Sequence, residues 1–380
     1  MTEATATGGP LAGLRVLDLS WVLSGPFCTM TLCDLGADVV KCERPPFGDV
    51  ARTTGPLVDG ESGYFFSVNR GKRSIAIDLK SPGAVAQLTP LLRSADVVVE
   101  QFRPGVMDRL GLGYDALKQI NSRLIYCAIT GYGQHGPRAE VAAHDLNYAA
   151  DAGMLALAAG ADGAPVLPAA LLADIGGGSY PAVINILFAL RQRDRTGEGC
   201  KLDIAMGDNL FTFMYWALGN GLAAGAWPRP GSELVTGGSP RYNIYRTRDD
   251  KFIAAAPLEQ KFWENFCEAI QLPASLREDA KDARATHQAV ADVIRQKTAA
   301  QWQECFSGKD VCCCVMVTVK EALADPHFTA RGVFAHKLAA DGRSIAALPV
   351  PVANVFRSHE AASGYPALGE ANEMLNGRIL

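Results

Sequence analysis

Short runs that are apolar throughout alternate with longer amphipathic stretches over the first 130 residues, and this alternation predicts most of the fold. RVLDLS (15–20) reads as a strand, GPFCTMTLCDLG (25–36) as a helix opening at Pro26 and closing at Gly36, and ADVVKCERP (37–45) as a second strand. After a polar loop come RSIAIDLK (73–80), a helical pattern from about Pro82 to Ser94, and the apolar run ADVVVEQF (95–102). A further helical pattern precedes RLIYCAIT (123–130), again a buried strand. Strands apolar on both faces and separated by helices predict a mostly parallel, doubly wound sheet. From Ile175 to Arg195 the pattern predicts a helix with Ile184, Leu187, Phe188 and Leu190 on its inner face.

Beyond that helix the texture changes. WPRPGSELVTGGSPRYN (227–243) is rich in Pro, Gly and Ser and reads as a linker or domain crossing. YNIYRTRDDKFIAAAP predicts a hairpin with Asp249 and Asp250 at its turn. Residues 259–308 are dominated by helical patterns with charged faces. The expected fold class is α/β: a large Rossmann-like domain with a mostly parallel sheet, plus a smaller α+β domain. The expected division is 1–226 for the first part of the large domain, 227–330 for the small domain with its linkers, and 331–380 for a return to the large one.

Composition narrows the function classes. Hydrophobic residues make up 48% and charged residues 20% of the 380, a globular balance without a disordered majority. A net charge of −4 provides no broad basic surface, so nucleic acid is not the expected partner. The segment MTEATATGGP is polar and carries an early acid, unlike a signal or transit peptide. The apolar stretch from Leu210 to Ala226 is broken by Asn220 and several glycines, which favours a buried helix over a membrane span. The expected setting is cytoplasmic, with no membrane partner. None of the 10 cysteines forms a Cys-x-x-Cys pair, and Cys312, Cys313 and Cys314 would alternate faces along a strand, so no metal site is expected. GYGQHG (131–136) has the G-x-G-x-x-G spacing but is followed by PRAE rather than a helix opening on small residues; it reads as a loop, not a dinucleotide fingerprint.

Three residues carry the chemical signal. His144 lies in VAAHDLNYAADAGML, Asp174 in LLADIGGGS and Glu259 in APLEQKFW. Singly, each has a bland explanation: a packed histidine, a helix N-cap, a solvated helix-start acid. Together, an imidazole facing a carboxylate, with a second carboxylate to orient the ring, can move a proton off carbon and back. The glycines Gly176, Gly177 and Gly178 after Asp174 would let a thioester oxygen approach backbone N–H groups and find stabilisation as it gains charge.

HDLNY, PVLPAALLADIGGGS and APLEQKFW resemble, in the same order, the active-site segments of the α-methylacyl-CoA racemases, a branch of the family III (CaiB/BaiF) CoA-transferase superfamily. That resemblance implies His144 and Asp174 as acid/base catalysts on opposite faces of an α-carbon, with Glu259 holding the imidazole. DLSWVLSGPFCTMTLCDLGADVVKCERP, NRGKRSIAIDLK and EQFRPGVMDRLGLGYDAL resemble segments that build a coenzyme A site in the wider family. They imply Arg44 and Arg109 at the phosphates, Lys80, Gln101, Phe102 and Tyr132 along the nucleotide, and Ile77 and Asp78 at the adjacent strand end. Coenzyme A would be part of the substrate, with no prosthetic group. The resemblance also implies an intertwined homodimer.

The chain departs from the racemase pattern in two places. Ala170 stands where those enzymes carry an asparagine that supports the catalytic aspartate, which implies a less well oriented Asp174. GESGYFFSVNRGKRSIAIDLK has the longer aromatic form of the CoA-transferases, in which the aspartate is a nucleophile instead. The residues favour racemisation of 2-methyl-branched acyl-CoA thioesters through an enolate, with CoA transfer through an Asp174 aspartyl-CoA intermediate as the alternative. A non-catalytic CoA-binding scaffold would have no need of His144, Asp174 and the glycines.

Overall fold

The computed structural model describes residues 8–58, 60–160, 162–340, 343–357 and 364–376; the polar segment 1–7 and the tail residues 358–363 and 377–380 are among those outside them. Two compact units emerge. The first comprises Met1–Ala152, Ala169–Phe213 and Pro326–Leu380, the second Gly153–Pro168 and Met214–Asp325. The chain therefore visits the second unit twice, and the early visit at 153–168 breaks no hydrophobic pattern that would have announced it.

The first unit is built on six strands: β1 (Arg15–Asp18), β2 (Asp38–Glu43), β3 (Arg73–Ala76), β4 (Val97–Glu100), β5 (Ile125–Thr130) and β6 (Lys201–Ala205). All neighbours pair in parallel, in the order β3-β2-β1-β4-β5-β6. The expected α/β class and parallel sheet are thus present. β4 and β5 are buried at every position, which is why their sequences are apolar runs without alternation. β6 has no counterpart among the expected strands: KLDIA is short, lies at the sheet edge and is half exposed, so it carries no such run. Leu17, Val40, Ile75, Val98 and Tyr126 of the sheet pack with Leu88, Leu91 and Leu92 of the helix Ala84–Ser94. Ala371 and Met374 join the same core, and the Ala371 N–H donates to Ser74 O at 2.9 Å, so the C-terminal segment returns to this unit.

A parallel sheet in this order has its topological switch between β1 and β4, where the chain leaves in opposite directions and opens a crevice beyond the carboxyl ends of the strands. β1 runs into the loop 19–23 and helix α1 (Ser24–Asp34); β4 runs into Gln101, Phe102 and Arg103. The Gly25 N–H donates to Gln101 Oε1 at 3.0 Å, tying the two exits together.

The long helix departs from expectation. Leu172–Ser179 is π-helical and continues into α-helix from Tyr180 to Thr196. Its buried side is Ala182, Ile186, Ala189 and Arg193, whereas Ile184, Leu187 and Phe188 are exposed, Phe188 by 67%. The segment is apolar around most of its circumference, so periodicity could not choose the inner face. The face that is buried is the one the helix turns toward β5 and β6.

The second unit is a three-stranded antiparallel sheet, β7 (Asn243–Arg246), β8 (Phe252–Ala255) and β9 (Cys313–Val315), with β8 central. β7 and β8 form the expected hairpin, with Asp250 in its turn at φ 56°. Trp263, Phe266, Val290, Ile294, Trp302 and Phe306 build a separate core from three helices. Cys312 and Cys314 are exposed on either side of the half-buried Cys313.

Candidate active site

The crevice at the switch point contains a cavity of about 330 Å³, lined among others by Val22, Leu23, Ser24, Gln101, Phe102, Arg103, Tyr132, His144, Tyr148 and Asp174. Residues from six separate stretches of sequence thus meet in the first unit. His144 and Asp174, thirty positions apart, both face this space.

His144 is exposed and occupies the N-cap position of helix α2 (Asp145–Asp151), its backbone N–H donating to Asn147 Oδ1 at 3.1 Å. Its neighbour Asp145, not singled out in the sequence, is buried and turns the other way. Asp145 Oδ1 accepts from the backbone N–H groups of Ala173 and Asp174 at 2.7 and 2.9 Å. The dipeptide His144–Asp145 therefore supplies a cavity-facing imidazole and the anchor for the opposing carboxylate's backbone.

Asp174 lies in the first turn of the π-helical stretch, where the helix dipole favours negative charge. Its Oδ1 accepts from the buried Ser24 hydroxyl at 3.0 Å. Burial raises its pKa above the ordinary carboxylate value, and the Asp145 charge adds to the rise; the Ser24 hydrogen bond and His144 oppose it. Ala170 is exposed, and the support expected from an asparagine at that position comes here from Ser24 and Asp145.

The glycines are required by packing. A Cβ on Gly177 would lie 2.3 Å from Met206 O, and one on Gly176 or Gly178 would press on the side chain of Phe213 or Met206. They let the π-helical segment pack against the short helix Met206–Asn209. They also sit inside a continuous helix rather than at its N-terminus, so unpaired N–H groups are not presented there.

The lip of the cavity is held under strain. Val22 has φ 67°, unfavourable for a β-branched residue, and the Leu23 N–H donates back to Trp21 O at 3.0 Å, closing a tight three-residue turn. The Val22 N–H in turn points at the Asp49 carboxylate, 3.1 and 3.2 Å from its oxygens. Asp49 is buried and paired with Lys41 at 3.0 Å, and Lys41 Nζ also donates to Ser20 O at 2.8 Å. A buried ion network beneath the strand ends thus fixes the loop that leads to Ser24.

A second cavity, about 240 Å³, is lined by Trp21, Arg44, Ile77, Asp78, Lys80 and Phe102 among others, and a smaller one bounded by Trp21, Val22, Gln101 and Phe102 adjoins both. Trp21 and Phe102 therefore connect the space around Asp174 to the space beside Arg44 and Lys80. Asp78 turns its Oδ1 to the Lys80 N–H at 3.0 Å. Arg109 is exposed at the end of a four-residue helix and lines neither cavity. Arg103, not singled out in the sequence, lines the first cavity. Tyr132 also lines it, packing edge-on against Tyr148 with centroids 5.1 Å apart and bonding Asp151 through its hydroxyl.

Glu259 belongs to the second unit, where it occupies the exposed N-cap position of the helix Gln260–Ala269 without capping it through its side chain.

A doubly wound sheet with cavities at its switch point, one of them holding a carboxylate whose pKa is raised, is the architecture of an α/β enzyme. The chain belongs to the CoA-transferase family III, whose pattern it matches over residues 11–372. It is 34% identical to human α-methylacyl-CoA racemase, covering 96% of this chain and 91% of that protein. It is 35% identical to the acetyl-CoA:oxalate CoA-transferase of Acetobacter aceti, covering 99% and 97%. A CAIB/BAIF family protein from Brucella suis superimposes with a TM-score of 0.81 at 32% identity, covering 97% of this chain and 99% of that one. The family includes racemases and transferases, and its members act on CoA thioesters.

Proposed function

We propose that this protein racemises 2-methyl-branched acyl-CoA thioesters through an enolate. The observation that carries the reading is that His144 and Asp174 line one cavity, with an apolar passage leading from it toward Arg44 and Lys80. The CoA portion lies along that passage: planar Arg44 and the Lys80 ammonium meet phosphate, and Phe102 and Ile77 meet the nucleotide. One of the pair removes the α-proton, the electron pair moves onto the thioester oxygen as an enolate, and the other returns a proton to the opposite face. A carboxylate with a raised pKa suits this role, because it is a stronger base than an exposed aspartate and more readily carries the proton in the return step.

The alternative is CoA transfer: Asp174 attacks the thioester carbonyl, forming an anhydride and expelling CoA thiolate, which attacks the aspartyl carbonyl to give an aspartyl-CoA thioester and release the donor acid; the incoming carboxylate then displaces the thiolate to form a second anhydride, whose acyl group the thiolate takes, freeing Asp174. Similarity to the acetyl-CoA:oxalate enzyme favours it. Incubation with a 2-methylacyl-CoA in heavy water, with succinate present, separates the two. Racemisation gives deuterium at the α-carbon with CoA retained on its acyl group. Transfer gives succinyl-CoA without exchange. His144→Ala is expected to cut exchange by about 10²-fold or more and to leave any transfer largely intact. Undiminished exchange in that variant removes His144 from the reaction.

We also propose that the protein is a homodimer. Ile184, Leu187 and Phe188 form an exposed apolar row on one helix, with Phe211 and Phe213 exposed in the same unit. Light scattering after gel filtration is expected to give twice the 40.4 kDa chain mass; a monomer at micromolar concentration would argue against it.

A further inference from the structure

Ser24 is the one residue of α1 that reaches the carboxylate on which both chemistries depend. Its side chain is buried, and its carbonyl is fixed by the Ser179 hydroxyl, which donates to it at 2.7 Å. Two acceptors compete for the single Ser24 hydroxyl proton: Asp174 Oδ1 at 3.0 Å and the Met206 thioether at 3.4 Å. An ionised carboxylate is much the better acceptor. The Ser24 bond occupies Oδ1, and among the described residues no protein group donates to Oδ2.

We propose that Ser24 is a positioning residue for Asp174, engaging Oδ1 so that Oδ2 is the oxygen that takes the proton or attacks the thioester. The inference rests on the reading that Asp174 reacts, and it holds for either chemistry. The alignment follows from the chain: the strained turn at Val22, clamped by Asp49, sets where α1 begins, and α1 begins with Ser24. The asymmetry has a purpose. Rotation about the Asp174 side chain would otherwise exchange its two oxygens, whereas one bonded and one open oxygen define a single reacting lone pair. The bond also opposes burial and the nearby Asp145 charge, both of which raise the carboxyl's pKa. The titratable groups facing Asp174 are Asp145, His144 and Tyr148 from α2, while α1 contributes the uncharged Ser24 hydroxyl.

The test reads the carboxyl directly. Full-length protein labelled with aspartate carrying ¹³C at Cγ is titrated by NMR, and the resonance missing from Asp174→Asn identifies Asp174. Ser24→Ala is expected to raise its midpoint by about one pH unit, the size of one hydrogen bond to a charged group. Ser24→Thr, which keeps a hydroxyl, is expected to restore it to within about 0.3 unit on the same scale. In turnover, Ser24→Ala should lower kcat about tenfold with little change in KM, and shift the acid limb of the pH profile upward by the same unit. A midpoint unmoved in Ser24→Ala, or moved equally in the Ala and Thr variants, overturns the proposal. Full activity of Asp174→Asn overturns instead the reading on which it rests, so the two failures are distinguishable.

Discussion

Replacing Asp174 with asparagine is expected to lower both α-proton exchange and CoA transfer by at least about 10³-fold without unfolding the protein. Asparagine preserves the shape of the side chain, and its Oδ1 can still accept the Ser24 hydroxyl now 3.0 Å away. The backbone contacts are also kept, because Asp145 binds the main-chain N–H groups of Ala173 and Asp174 rather than the Asp174 side chain. Only the basic, nucleophilic oxygen is lost. Loss of exchange and transfer together distinguishes this variant from His144→Ala, expected to affect exchange alone. The two assays run at saturating and limiting acyl-CoA would show the loss in kcat, with KM changing little. Activity within about tenfold of the unaltered protein would move the chemistry away from the switch point. The sign of the pH dependence follows from the same carboxyl. Its pKa is raised by burial, so a reaction that needs it ionised declines as pH falls through a value higher than that of an exposed aspartate.

The strands were legible because they are buried on both faces, and a chain that buries both faces of a strand must make it apolar throughout. VVVE and IYCAIT could be little else. The edge strand KLDIA escaped because half exposure removes that demand. The helix beyond Asp174 was legible as a helix but not in its orientation, since a residue such as Phe188 announces apolarity without saying what covers it. At the site, His144 and Asp174 were recognisable through their neighbours in sequence, but the groups serving them were not. Ser24 is 150 residues from Asp174, and a serine opening a helix has an ordinary local explanation. Asp145 was hidden beside the histidine that drew attention, and only the fold shows that the two side chains serve different masters. The glycines suggest a ligand cradle from their chemistry, and the approach of Met206 O gives Gly177 a packing reason as well. No sequence rule distinguishes those two uses of a small residue.

The least legible feature carries the largest expected effect on stability. Lys41 and Lys72 occur among strand and loop residues that read as ordinary punctuation, yet both are buried, as are Asp18, Glu43, Asp49 and Arg52 around them. Lys72 Nζ lies 3.0 Å from Asp18 Oδ2 and also donates to Pro26 O at 3.0 Å and Asn69 Oδ1 at 2.8 Å. Asp18 further accepts from the Thr29 hydroxyl at 2.7 Å and the Ser20 N–H at 2.9 Å. Burial pushes the Asp18 carboxyl up, but Lys72, Lys41 and the hydroxyls of Ser20 and Thr29 outweigh it and hold the group well below the carboxylate range. Lys72→Met preserves the volume and leaves Asp18 short of its nearest countercharge, so it is expected to cost about 3–5 kcal/mol in urea unfolding. Asp18→Asn combined with Lys72→Met should recover much of that loss, because neither charge is then buried alone. The pH dependence has a definite sign. A depressed carboxyl stabilises the fold above its unfolded pKa, near 3.9, and that stability is lost as pH falls through the native value. In Lys72→Met the native pKa of Asp18 rises, so acid unfolding should begin at higher pH. A cost below about 1 kcal/mol, with an unshifted acid limb, would mean that Lys41 alone compensates Asp18 and that the pair at the end of β1 is dispensable to the loop carrying Ser24.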